Sequence, residues 1–422
     1  MNSKPTQSDW VERASHVLPG GGFGNFDPGV VIRRGLGSHV WDEDGNEFID
    51  YMIGSGPMIV GHNHPEVVEA TLEQIAQGMT FFTNNARGIE LAEEICKAMA
   101  CADQARFVCT GGEADMYAMR LARAHTGRDK ILKFEGGYHG MSAEAQMSLA
   151  PTTLANFPQA VPDSAGISEA VRDSVLVAPF NDAEFVRQII AEQGDEIAGV
   201  IVEPLQRLIP PAPGFLETLR EETSKYGIVL IFDEIVTGFR LAYGGAQELY
   251  GVTPDVCTLG KIIGGGFPLA AIAGNADVMS HFDKAQAGDS FLMQVGTLSG
   301  NPVASAAGVK TMEILRRPGV YEHLRECGQT IRTAMAEHLS AAGITHQIVG
   351  DPVLFDVVFT DQPIANYRDV LKADSAITAR FNALLREKGI LKTPGKVYPS
   401  LTLDDDDMVQ TIDAIAEAAR KL

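Results

Sequence analysis

The chain has 422 residues, 45% hydrophobic and 21% charged, with a formal net charge of −21. That length exceeds one ordinary domain, so two or three structural units are expected, and so acidic a surface excludes nucleic acid as a partner. The five cysteines (Cys96, Cys101, Cys109, Cys257, Cys327) form no Cys-x-x-Cys pair, the first residues lack the apolar core of a signal peptide, and the longest apolar stretch, 262–274, is short and glycine-rich; a cytoplasmic protein with reduced thiols and no membrane span is expected.

In chain order, residues 1–60 read as an arm: a helix over 7–18, a Gly-rich loop, then a hairpin over 39–50 that turns at Asp44-Gly45. Residues 61–300 alternate strand and helix. Strands are expected over 106–110, 130–134, 174–178, 198–202, 228–232, 256–259 and 269–273, and helices over 113–125, 183–193 and 215–226. Near-continuous apolar strands separated by helices imply an α/β fold, a mostly parallel sheet with helices on both faces. Residues 301–422 read as a smaller α+β domain, with helices over 304–315, 320–341 and 407–421 and strands over 353–359 and 396–402. The acidic run Asp404–Asp407 reads as a solvated cap of the last helix.

In an open parallel sheet, ligands bind beyond the carboxyl ends of the strands. Five of these ends carry polar or glycine residues: Gly111-Gly112-Glu113, Tyr138-His139, Glu203, Asp233-Glu234 and Gly260-Lys261. Thr110 and Glu113 have the spacing of a capping box, and the helix they open offers its glycine amides to a phosphate. Asp233-Glu234 after an apolar run also suits a magnesium-binding NTPase, but no Gly-x-x-x-x-Gly-Lys-Ser/Thr loop accompanies it. No Gly-x-Gly-x-x-Gly, Gly-x-Ser-x-Gly or His-Glu-x-x-His motif is present. His62 and His64, two apart with no cysteine or carboxylate nearby, read as a turn, so no metal site is expected. A lysine and an aspartate at neighbouring buried strand ends are costly unless a ligand uses both charges. Pyridoxal 5'-phosphate does so, since it needs an amine for a Schiff base and an anion at its ring nitrogen.

Three longer stretches make the reading specific: Phe232-Asp-Glu-Ile-Val-Thr-Gly-Phe-Arg240, Thr258-Leu-Gly-Lys-Ile-Ile-Gly-Gly-Gly-Phe-Pro268 and Gly296-Thr-Leu-Ser-Gly-Asn-Pro302. They resemble the class III (ω-) aminotransferases of PLP-dependent fold type I. The likeness to the glutamate-1-semialdehyde aminomutase branch extends to 126–140 and 244–255. The resemblance implies that Lys261 forms the Schiff base and then moves the proton, and that Asp233 holds the pyridine nitrogen protonated. It implies Tyr138 and Ile235 on the two ring faces, Gly111 and Gly112 amides at the phosphate, and Glu203 near the phenolic side of the ring. It also implies a homodimer with shared active sites, in which Thr297 reaches the neighbouring subunit's phosphate.

Two departures stand out. The phosphate turn reads Thr110-Gly-Gly-Glu-Ala114 where the family usually has Ser-Gly-Thr-Glu-Ala, which removes one charge-assisted hydrogen bond worth about 1.5–3 kcal/mol. The arginine with which the aminomutases grip the substrate carboxylate is missing from the stretch 20–28. Arg207, in a loop that replaces the usual Gly-containing one, or Lys396 is expected to take over. The expected function is transfer of an amino group from a β- or ω-amino acid or an amine to a 2-oxo acid by ping-pong half-reactions. An intramolecular aminomutase and a non-catalytic PLP-binding protein are the alternatives.

Overall fold

The computed structural model describes residues 4–422. Contacts within the chain group it into two compact units: residues up to 65 with 319–361 and 373–422, and residues 66–318 with 362–372. In the first unit, β1 (Ile32–Leu36), β2 (His39–Asp42) and β3 (Glu47–Asp50) form an antiparallel meander. The turn between β2 and β3 has Gly45 at φ +93°, in the region open to glycine.

The second unit is built on seven strands: β4 (Gln104–Val108), β5 (Lys130–Phe134), β6 (Val175–Ala178), β7 (Ile197–Val202), β8 (Val229–Glu234), β9 (Val256–Leu259) and β10 (Ala270–Gly274). Their order is β4-β10-β9-β8-β7-β5-β6. β5 to β9 are parallel to their neighbours in that subset, whereas β10 runs antiparallel to both β9 and β4. Every residue of β7, β8 and β9 is buried, as expected of strands covered on both faces. Helix Gly111–Thr126 lays Ala114, Ala118, Leu121 and Ala122 against the sheet, in one cluster with Ile131, Ile201 and Ile231. Its N-terminus carries the expected capping box and its C-terminus the left-handed Gly127.

Back in the first unit, β11 (Gln347–Asp351) and β12 (Leu354–Val358) form a hairpin, and β13 (Ile390–Leu391) pairs in parallel with β3. The N-terminal segment therefore shares a core with the C-terminal one: Ile49 packs in a cluster with Ile331, Phe355, Phe381 and Ile415. The strand expected over 396–402 does not form. Its amides go to three separate acceptors, Val397 to Phe355, Tyr398 to Tyr51 and Leu401 to Ile59, and Pro399 has no amide to give. Nor is the acidic run merely solvated. Asp407 is 3% exposed and accepts from the Ser38 hydroxyl at 2.6 Å, with its other oxygen 2.7 Å from His39 Nε2.

β8 ends in two carboxylates that point to different tasks. Glu234 is fully buried and accepts from the amide of Ala246, from Gln247 Nε2 at 3.0 Å and from the Thr237 hydroxyl at 3.0 Å. It thereby ties the chain after β8 to the helix Gly245–Tyr250. A Cβ on Gly245 would lie 2.2 Å from Glu234 Oε2, so this anchorage requires glycine there. Burial raises the Glu234 carboxyl to about 7, against its three donors. Its folded value thus lies above its unfolded one of 4.5. The proton it holds contributes stability below the unfolded value and loses that contribution as pH rises through about 7. Urea unfolding at pH 5 and pH 7 is expected to show the Glu234→Gln variant losing less stability over this interval than the parent, by on the order of 2–3 kcal/mol.

Candidate active site

The buried end of β8 fixes the centre of the site. Asp233 is 4% exposed. Its Oδ1 accepts from the Ile235 amide at 3.1 Å, and its Oδ2 lies 2.7 Å from Nδ1 of His139, itself 1% exposed. His139 and Tyr138 come from the turn after β5, which two other side chains hold in place. Glu203, just beyond β7, accepts the Tyr138 amide at 2.9 Å. Lys133, inside β5 and 1% exposed, donates from Nζ to the carbonyls of Gly137 (3.2 Å), Ala145 (2.7 Å) and Met147 (2.7 Å). Burial draws the Lys133 ammonium down to about 7, while three carbonyls satisfy each of its protons.

The Tyr138 ring is 37% exposed and so presents a face. Burial pushes its phenol up, and the Arg207 guanidinium works in the other direction. The carbon of that guanidinium lies 5.5 Å from the ring centroid. On the other side of the sheet's centre line, Thr258 of β9 stands opposite Asp233 in register. Two residues beyond β9, Lys261 opens a short 3-10 turn, Lys261–Gly264, with φ +47°. A non-glycine residue in this left-handed region is uncommon and stores strain, as functional positions often do.

Ile235 joins these parts to the helix Gly111–Thr126. Its side-chain atoms lie 3.0 Å from the place a Cβ would occupy on Gly111 and 3.1 Å from that on Gly260. A Cβ on Gly112 would lie 3.2 Å from Gly140 Cα, so the helix start and the Tyr138 turn approach backbone to backbone. The capping box takes the amide of Glu113. The first-turn amides at Gly111 and Gly112 face outward at the positive end of a 16-residue helix, the usual setting for a phosphate.

The donor set fits pyridoxal 5'-phosphate. Two glycine amides at a helix start, a buried carboxylate, a lysine beyond the adjacent strand, an aromatic face and an apolar side chain lie on adjoining strand ends. Gly111, Gly112, Tyr138, Glu203, Asp233, Ile235 and Lys261 are all carried by this rim, and Arg207 stands at its Tyr138 edge. Thr297 is exposed on the loop before helix Pro302–Leu315, and no described hydrogen bond or ring contact joins it to Asp233. Lys396 belongs to the other unit, where its carbonyl accepts the Thr393 hydroxyl. Sequence reasoning did not single out Asp115, Thr258 or Lys133. His139 was legible only as the neighbour of Tyr138, and Asp115 as the fifth residue of the capped helix.

A class-III aminotransferase family model matches residues 24–419. A glutamate-1-semialdehyde 2,1-aminomutase 2 of Brevibacillus brevis is 40% identical over 100% of this chain and 99% of its own. An omega-transaminase from Sphaerobacter thermophilus is similar in structure with a TM-score of 0.93 and 37% identity, covering 99% of this chain and 98% of that one. A beta-phenylalanine aminotransferase from Variovorax paradoxus has a TM-score of 0.86 and 31% identity, covering 97% and 93%. The cofactor is pyridoxal 5'-phosphate and the fold is that of the fold type I transaminases. The chain belongs to the class-III aminotransferases.

Proposed function

We propose that this chain is a transaminase that moves an amino group from a β- or ω-amino acid, or an amine, to a 2-oxo acid by ping-pong half-reactions. Bound at the rim, the cofactor supplies an aldehyde that takes up amines and a ring that accepts electrons from the carbon beside the nitrogen. Lys261 is the amine that holds the cofactor and the base that carries the proton between carbons. Asp233 keeps the ring nitrogen protonated, and His139 and the Ile235 amide fix its carboxylate for that task. Tyr138 and Ile235 cover the two ring faces, and Glu203 positions Tyr138 through its amide. Gly111 and Gly112 take the phosphate.

The observation that carries the substrate class is Arg207. Gln206 and Ile209 exchange backbone hydrogen bonds at 3.0 and 2.8 Å, so Arg207 and Leu208 form a two-residue turn. Arg207 is the first of the two, at φ +60°, a place that favours glycine. A side chain kept there against strain, exposed and next to Tyr138, suits a substrate carboxylate. Lys396 remains the second candidate for that carboxylate. The 40% identical aminomutase favours an intramolecular reading, against which stands the absence of arginine from residues 20–28.

The exposed apolar side chains around Thr297 support a homodimer. Met293, Val295 and Leu298 lie on its loop, and Met79 and Phe82 lie on a segment joined to that loop by the bond from Asn301 Nδ2 to the Met79 carbonyl. Apolar patches of this kind are rarely left in water. No helix among the described residues is long and apolar enough to cross a membrane, and a cytoplasmic site of action is part of this proposal.

Purified enzyme given an amino donor is expected to turn over only when pyruvate or 2-oxoglutarate is added. Turnover without any acceptor would sink the transaminase reading. The Arg207→Gly variant relieves the strained turn, so its stability should stay within about 1 kcal/mol of the parent. Its KM for carboxylate-bearing donors should rise about tenfold or more, with amines lacking a carboxylate unaffected; equal KM values in both series would remove Arg207 from the role. Light scattering of the Leu298→Asp variant is expected to shift the mass from dimer towards monomer, with loss of bound cofactor in step.

A further inference from the structure

Asp115 is 2% exposed, one turn into the helix Gly111–Thr126. Its Oδ1 accepts the hydroxyl of Thr258 at 2.6 Å. One oxygen of Asp115, one oxygen of Asp233 and one ring nitrogen of His139 all lie within 4.8 Å of one another. Two carboxylates so close in the interior repel each other strongly, and burial further disfavours the charge on each.

Lys133 acts on Asp233, but none of the described charges that act on Asp115 is a cation. The charged groups that face Asp115 are acidic, Asp233 of β8 and Glu203 beyond β7. One of the two aspartates therefore holds a proton, as paired carboxyls do elsewhere. Asp233 has two donors that favour its carboxylate, the Ile235 amide and His139. Asp115 has one, the Thr258 hydroxyl.

We propose that Asp115 is a carboxylic acid whose Oδ2–H donates to the Asp233 carboxylate, making Asp115 a positioning residue for the anchor of the pyridine nitrogen. The inference rests on Asp233 filling that anchoring role. Burial and then the Asp233 charge push the Asp115 carboxyl well above the usual range, in keeping with this assignment. The shared proton does two things. It gives Asp233 a third donor, so that its carboxylate cannot rotate. It also leaves the pair with a single negative charge, which one pyridinium neutralises.

The test compares cofactor-loaded parent, Asp115→Asn and Asp115→Leu. Asparagine has an amide that donates to Asp233 and an oxygen that accepts from Thr258, as the neutral acid does, whereas leucine has neither. At pH 7 the dissociation constant for pyridoxal phosphate should stay within about threefold of the parent in Asp115→Asn and rise about tenfold or more in Asp115→Leu, the size expected for one hydrogen bond to a charged group. Difference infrared spectra of parent minus Asp115→Asn should contain the C=O stretch of a protonated carboxyl. Asp115→Asn binding as weakly as Asp115→Leu would mean an ionised Asp115 and overturn the proposal, as would a missing band. A band present with neither variant altering the affinity would overturn the role towards the cofactor; the assignment of Asp233 would fall only if Asp233→Asn also left the affinity unchanged.

Discussion

The site depends on one carboxylate kept out of water. Asp233 sits at the tip of a strand whose residues are all buried, where an unpaired charge is too costly to persist. Its position is set twice over, by the sheet register that faces it with Thr258 and by the 2.7 Å contact with His139. The groups that support it serve it from separate elements, so the local fold around β8 has little freedom to vary. Glu234, the next residue, faces the other way and accepts hydrogen bonds from the following helix. Two adjacent acids thus face different neighbours, Asp233 turned to His139 and Glu234 to the chain that follows.

How much of this was readable in the sequence follows from how far each group acts. Asp233 and Lys261 were legible because each directly follows an apolar run, and a strand end is a local signal. The capping box of Thr110 and Glu113 is likewise local, and it forms as expected. His139 meets Asp233 across 94 positions, and Asp115 meets Thr258 across 143. Nothing in periodicity or spacing joins such pairs; the sheet order does. The antiparallel β10 was hidden for the same reason, since an apolar run has no direction.

The small unit was less legible than the large one. Residues 396–402 were expected to be a strand, yet their amides bond to Phe355, Tyr51 and Ile59, which lie on different segments. Asp407 was misjudged as solvated because three acids beside it are exposed, while its own side chain is taken by Ser38 and His39 nearly the whole chain away.

Lys133 carries a consequence for the order in which this site assembles. Its three carbonyl acceptors span residues 137 to 147, so one ammonium closes this segment into a ring much as a chelated ion would. A loop closed by its own chain loses its conformational freedom during folding and not on binding. Tyr138 and His139 ride on that ring. They are therefore set before any ligand arrives, and the free energy of cofactor capture need not be spent on arranging them.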